Sequence, residues 1–265
     1  MFEILQYTFF QNALISGLLL ALISSILGVF IVMRKEANIT HSISNFLFLG
    51  IALSLLLEGN YYFFAFLFGI FASLLIFFIE KTDFITKEST KEIISQGGIA
   101  GAIFTLGFLQ NLSLDINSLL FGSILLVEKQ DILMIFGLLV IVLILFFTFG
   151  KKFLGVIINR DIAKTSGISV NLYNFFFLIL VSVFIALSIK IFGILLIGAF
   201  LVIPANTAKI LGKNIKQVFI FSSLLAWISV ILGLFGAHFL ETSTGASIVL
   251  VLILFFILSL IFKKR

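Results

Sequence analysis

The side chains of this chain best suited to chemistry are two histidines and an asparagine. His41 and Asn45 are four residues apart, which places them one turn apart on a single face if the segment is helical. A neutral imidazole is a good ligand for zinc, manganese or iron, and an amide carbonyl is a weaker one. The pair therefore reads either as half of a cation site or as a polar helix start, in which Thr40 caps the helix and His41 sits in a headgroup region. His238, the second and last histidine, is a further candidate ligand, or an interfacial structural residue.

The elements that must hold these residues are membrane spans. Of 265 residues 62% are hydrophobic and 11% charged, where a soluble domain carries about 25% charge. So much apolar surface cannot be hidden in one core, so the solvent is lipid. There is no cysteine, which excludes disulfides and thiolate ligands. The net charge of +5 sits in short clusters between apolar runs, as in lipid-embedded proteins, and does not point to nucleic acid. The start, MFEILQYTFF, lacks a basic n-region and is expected to be mature protein. The 35 phenylalanines fit an AT-rich codon usage better than an aromatic ligand box.

Runs of about 20 apolar residues can cross the hydrocarbon. Nine are visible: Asn12–Met33, His41–Leu57, Tyr62–Ile79, Glu92–Leu109, Asp131–Phe149, Tyr173–Ile189, Ile191–Pro204, Gln217–Ala237 and Ala246–Phe262. The seventh is short and runs into the only proline, so a broken or re-entrant helix is expected there. Cations cluster on alternate connections: Arg34 and Lys35; Lys81, Lys87 and Lys91; Lys151, Lys152, Arg160 and Lys164; Lys209, Lys213 and Lys216; and Lys263, Lys264 and Arg265. The other connections hold Glu58, Asp115, Glu128 and Glu241, with only Lys129 and Lys190 as cations. Nine spans with the N-terminus outside and the C-terminus in the cytoplasm satisfy this pattern. No repeat or linker divides residues 1–265, which read as one all-α, polytopic transmembrane domain.

No run has an Asp or Glu in its middle, which argues against a carrier driven by protons or sodium. No Gly-x-x-x-x-Gly-Lys phosphate loop occurs, so a pump built on this chain would draw its energy from a separate subunit.

Several segments together resemble the membrane permeases of the zinc/manganese/iron family of bacterial ABC importers. Those permeases carry a basic pair, then an Asp and, four residues on, a His, followed by Leu-x-Gly-(Val/Ile)-Ala. Here Arg34 and Lys35 match the basic pair and Leu49-Gly50-Ile51-Ala52 the tail, while His41 replaces the Asp and Asn45 the His. In the same order, LLFGSILLV (Leu119–Val127) resembles an external Leu-Phe-Gly segment. RDIAKTSGISV (Arg160–Val170) resembles the cytoplasmic Asp-x-Ala-x-x-x-Gly-(Ile/Val)-x-Val motif. GILLIGAFLVIPANTAKILG (Gly193–Gly212) resembles the Pro-Ala-x-Thr-Ala-Arg signature, with Pro204, Thr207 and Lys209 for Arg, and ETSTGASIVLVL (Glu241–Leu252) resembles the start of the last helix without its prolines.

The resemblance implies a permease, related in fold to cobalamin and siderophore importers, that lies in the bacterial cytoplasmic membrane. Two such chains would work with cytoplasmic ATPase subunits and an extracytoplasmic metal-binding protein. It implies that Arg160, Asp161, Ala163, Gly167 and Val170 belong to the element that docks on the ATPase, Gly167 permitting a turn that a side chain would obstruct. It implies a transported divalent metal and no resident cofactor, with His41, Asn45 and His238 as candidate ligands. The loss of the carboxylate at His41 removes a charge that would offset a cation's lost hydration. Two further readings stand beside it: a permease of the siderophore or cobalamin type, whose chains are usually longer by a span, and a membrane scaffold or sensor without a pore.

Overall fold

A computed structural model describes residues 6–82, 84–109, 116–123, 127–158 and 160–263; for residues 116–118, 158, 160, 161 and 263 it gives the backbone only. Asp115, Lys264 and Arg265 lie outside the described residues. The elements are α1 (Thr8–Arg34), α2 (Asn38–Leu56), α3 (Tyr61–Glu80), α4 (Lys87–Leu106), α5 (Ile116–Phe121), α6 (Lys129–Ile158), α7 (Arg160–Thr165), α8 (Val170–Phe192), α9 (Ile197–Leu211), α10 (Ile215–Phe239) and α11 (Thr244–Lys263). No strand occurs among the described residues.

Eight of these helices are long and apolar enough to cross a membrane. Their outward surfaces carry large apolar side chains, among them Phe147 at 80% and Phe104 at 72% exposure, which water would not tolerate in such density. Polar residues start several helices. Asn60, Thr86 and Asn214 cap α3, α4 and α10 by accepting from the backbone N–H of Phe63, Ser89 and Gln217.

Eight of the nine expected runs fall on α1, α2, α3, α4, α6, α8, α10 and α11. The seventh is corrected. The helix there is Ile197–Leu211, not Ile191–Pro204, and its 15 residues reach about 22 Å, short of the hydrocarbon thickness. The chain breaks at Gly193, whose φ is +74°, and Pro204 lies inside the helix. Asn206 and Thr207 donate their side-chain protons back to the carbonyls of Val202 and Ile203, one turn earlier in the same helix, which gives these polar groups partners inside an apolar segment.

The chain divides into two compact units: Met1–Glu36, Asp115–Val142 and Leu187–Arg265 in one, Ala37–Leu114 and Leu143–Ala186 in the other. In the first, α1 packs on α9 and α10, and α9, α10 and α11 pack on one another. Val29, Val32 and Ala205 form a buried cluster there, ringed by Met33, Val202, Val218 and Phe219. In the second, α2 packs on α3 and on α4, and small residues let backbones approach, as is usual between membrane helices.

In the first unit, three of the resembling segments converge. Ile194 N–H and Leu195 N–H donate to the carbonyls of Leu119 and Leu120, and Ser123 N–H donates to that of Lys190. Gly122, Gly193 and Gly245 come together here, each against backbone: Gly122 on Ile191, Gly193 on Leu120 and Gly122, Gly245 on Phe192 and Phe121. Beside this junction Lys190 Nζ donates to both carboxylate oxygens of Asp131, at 3.2 and 3.0 Å. Lys190 and Asp131, which the sequence places at external ends, are thus an ion pair largely shielded from solvent, whose mutual attraction must first offset the desolvation of both charges.

Candidate functional site

The N-cap of α2 is Ala37, in helical conformation and without a side-chain cap. Thr40 is therefore not the cap; it lies inside the first turn and donates from Oγ1 to the Ala37 carbonyl at 2.9 Å. Thr40, Ser42, Ser44 and Asn45 are all buried, while His41 is exposed. Burying four polar side chains at one helix start requires partners for them. Ser44 donates to the His41 carbonyl at 3.1 Å, within its own helix. Ser42 Oγ lies 2.7 Å from the carbonyl of Lys91 on α4 and 2.9 Å from that of Asn38.

Asn45 joins the two helices. Its Nδ2 lies 3.2 Å from His41 Nε2 and 2.7 Å from Ser95 Oγ of α4. The approach is close because α4 has a glycine one turn on. A Cβ at Gly98 would stand 2.6 Å from the Asn45 carbonyl oxygen and from Phe46 N and Cα. His41 and Asn45 are thus brought into hydrogen-bond distance, as their spacing predicts. Ser95 is a residue that sequence reasoning missed, since a serine in an apolar run carries no sign of its partner.

Lys91 is also recast. It is not a loop cation but a buried residue of α4, 3.3 Å from Glu80 at the end of α3. This places a paired cation one turn before Ser95 on the same helix.

His238 lies in the last turn of α10, exposed, its ring 5.6 Å from that of Phe239. It belongs to the first compact unit, and His41 to the second. Among the described residues no group of three or more His, Cys, Asp or Glu gathers to hold a metal ion.

The segment Arg160–Val170 folds as a short helix, a turn and the start of α8. Gly167, at φ +77°, ends α7: its N–H donates to the Lys164 carbonyl and the Ile168 N–H to that of Ala163, the pattern of a glycine-terminated helix. Nothing lies within 4 Å of where a Gly167 Cβ would stand. The glycine is thus needed for its backbone conformation, not because a side chain would be obstructed. Ala163 and Val170 are buried together with Val156, and Ile162 stands 63% exposed beside them. The side chains of Arg160 and Asp161 lie outside the described part.

Of the signature residues, Pro204 and Thr207 are buried within α9 and Lys209 is exposed. Lys209 and Lys213 border an otherwise largely apolar cavity of about 240 Å³ beside Val29, Ala205 and Val218.

A family model described as the ABC 3 transport family matches residues 6–263. The membrane protein ZnuB of a high-affinity zinc uptake system from Haemophilus influenzae is 30% identical over 265 residues, the whole of both chains. The membrane protein MntC of a manganese transport system from Listeria monocytogenes is 29% identical over 262 residues, 99% of this chain and 93% of its own. Among solved structures, PsaBC from Streptococcus pneumoniae in complex with Fab superposes with a TM-score of 0.85 at 30% identity, covering 96% of this chain and 91% of that one. An inward-facing metal-chelate type ABC transporter matches with a TM-score of 0.72 at 17% identity, over 95% and 84% of the two chains, which shows the fold alone.

Proposed function

The chain belongs to the ABC 3 transport family, and from that premise we propose that it is the permease subunit of an ATP-driven importer of zinc or another divalent transition metal. It is a multi-pass membrane component and not the catalytic subunit; hydrolysis of ATP belongs to a separate chain. The observation that carries the metal reading is the His41–Asn45 pair on α2, at the positions where the family pattern has its Asp and His. The full-length likeness to proteins named for zinc and manganese uptake supports it.

In this reading two copies form the pathway in the bacterial cytoplasmic membrane, cytoplasmic ABC ATPase subunits drive it and an extracytoplasmic metal-binding protein delivers the cation. The metal is cargo. The test is metal uptake, with metal-dependent ATPase activity, by the reconstituted complex; a complex that hydrolyses ATP but moves neither zinc nor manganese would sink the reading.

Orientation is checked by a single cysteine in a chain that has none. Ser166→Cys, in the exposed turn after α7, is expected to react with an impermeant maleimide only after the cells are opened. Labelling in intact cells would reverse the proposed topology.

The same turn is the proposed contact with the ATPase, presenting Ile162 from a small folded core. Gly167→Val forces a branched side chain into a left-handed backbone, a strain of about 1–3 kcal/mol. It is expected to uncouple transport from ATP hydrolysis while the chain still inserts. Gly167→Asn, which tolerates that conformation better, should retain more coupling. Normal stimulated ATPase in both variants would remove this turn from the coupling path.

A further inference from the structure

One terminal atom of the Asn45 side chain serves two neighbours. Nδ2 is 2.7 Å from Ser95 Oγ and 3.2 Å from His41 Nε2; Asn45 and Ser95 are each 1% exposed, and His41 is open. An amide nitrogen has two protons to give and nothing to accept with. Both contacts are therefore donations by Asn45, and His41 Nε2 is the acceptor. A neutral imidazole that accepts at Nε2 carries its proton on Nδ1. In this arrangement the ring has no lone pair left for a cation.

A half-turn of the amide about its last side-chain bond exchanges Oδ1 for Nδ2 in nearly the same volume, and that torsion is soft and two-fold. The carbonyl then accepts from Ser95 Oγ–H and from His41 Nε2–H together. The lone pair of the ring moves to Nδ1, and the imidazole is left as metal-bound imidazoles usually are, with its other N–H on an oxygen acceptor. Ser95 fits both arrangements, because a hydroxyl accepts in one and donates in the other. Gly98 keeps α4 pressed on α2 at this level, so Ser95 stays within reach of the amide.

The geometry points to Asn45 and Ser95 as positioning residues of a two-state device that decides whether His41 can take a borderline divalent cation of the zinc class. His41 Nδ1 is the ligating atom, and Asn45 is the buried partner of the ring and not a ligand. This rests on the reading of His41 as part of the metal path, and it adds the residue that sets the ring.

The test uses the purified full-length chain in detergent with zinc as probe and ¹⁵N-labelled histidine. Only two histidines are present, and His238→Gln assigns the remaining ring signals to His41. Without metal, His41 is expected as the Nδ1–H tautomer. With zinc, the proton should be found on Nε2 and the metal shift on Nδ1. Ser95→Ala should mix the tautomers and weaken zinc binding about 10-fold, in the range seen when an outer partner of a metal-bound histidine is lost, and Ser95→Thr should restore both. Asn45→Asp, an acceptor only, should show the Nε2–H tautomer even before zinc is added. Zinc ligated through Nε2, or a Ser95→Ala chain identical to the parent in tautomer and affinity, would overturn the device while leaving His41 a ligand. Zinc bound with the His41 signals unmoved would overturn the device and the His41 reading together.

Discussion

His41→Ala is expected to abolish metal uptake while the amount of inserted chain and its assembly with the ATPase stay unchanged. The separation follows from where the residue sits. His41 is exposed, so its removal leaves no internal cavity, and Ser42 still joins α2 to α4 through the Lys91 carbonyl. What is lost is the one imidazole on α2. A neutral imidazole prefers zinc and its neighbours to magnesium or calcium, which prefer several oxygens. Metal uptake by the parent chain should accordingly be inhibited by added zinc and not by magnesium. The exchange His41→Asp with Asn45→His restores the family pattern and adds a charge facing the cation, so uptake should persist or strengthen. The structure adds a cost: an imidazole at the 1% exposed position of Asn45 overpacks the α2–α4 contact by about 1–3 kcal/mol. The double variant should unfold earlier than His41→Asp alone. Metal accumulation in cells, read against an immunoblot of the membrane fraction, checks each variant. Unchanged uptake in His41→Ala would place the metal path elsewhere.

The spans were legible because length and apolarity alone decide whether a helix can live in lipid. The end of α8 was legible to within a few residues, because Lys190 separates the sixth run from the seventh; what holds the break was not. Ile191–Pro204 reads as the next apolar run, ending at the only proline, so a further interruption was expected at Pro204, yet the helix runs through it. The backbone instead turns at Gly193, where the segment from Leu119 to Ser123 docks. That contact is made by residues some 70 positions away, and local pattern carries no trace of it. The site shows the same division. Helical spacing put His41 and Asn45 on one face, but the partner that holds Asn45 comes from another helix. Ser95 stands in Ile-Ile-Ser-Gln-Gly-Gly, where nothing but the two glycines hints at a close approach. Lys91 reads as a loop cation because topology rules count charge; its burial against Glu80 is a property of how α3 and α4 meet.

Gly193→Val is expected to destabilise the purified chain by about 2–5 kcal/mol, adding the strain of a branched residue at positive φ to overpacking against fixed neighbours. Gly193 has φ +74°, and the atoms a Cβ would meet are backbone: the Leu120 carbonyl and the Gly122 nitrogen. Flexible side chains can yield to an added methyl group, but these atoms are held by the Ile194-to-Leu119 and Leu195-to-Leu120 hydrogen bonds. Relief therefore requires the junction to open, and Gly122 and Gly245, packed against the same backbone, would lose their seats with it. A fall in apparent Tm on the order of 10 °C is expected for a chain of this size, together with loss of uptake. Gly236→Ala supplies the control. That glycine lies inside α10 with nothing within 4 Å of its Cβ position, and alanine there should leave Tm unchanged or raise it slightly. Equal Tm values for Gly193→Val and the parent would mean that the Leu-Phe-Gly segment, the start of the proline signature and the start of α11 fold independently, and that their meeting in space does not hold the chain together.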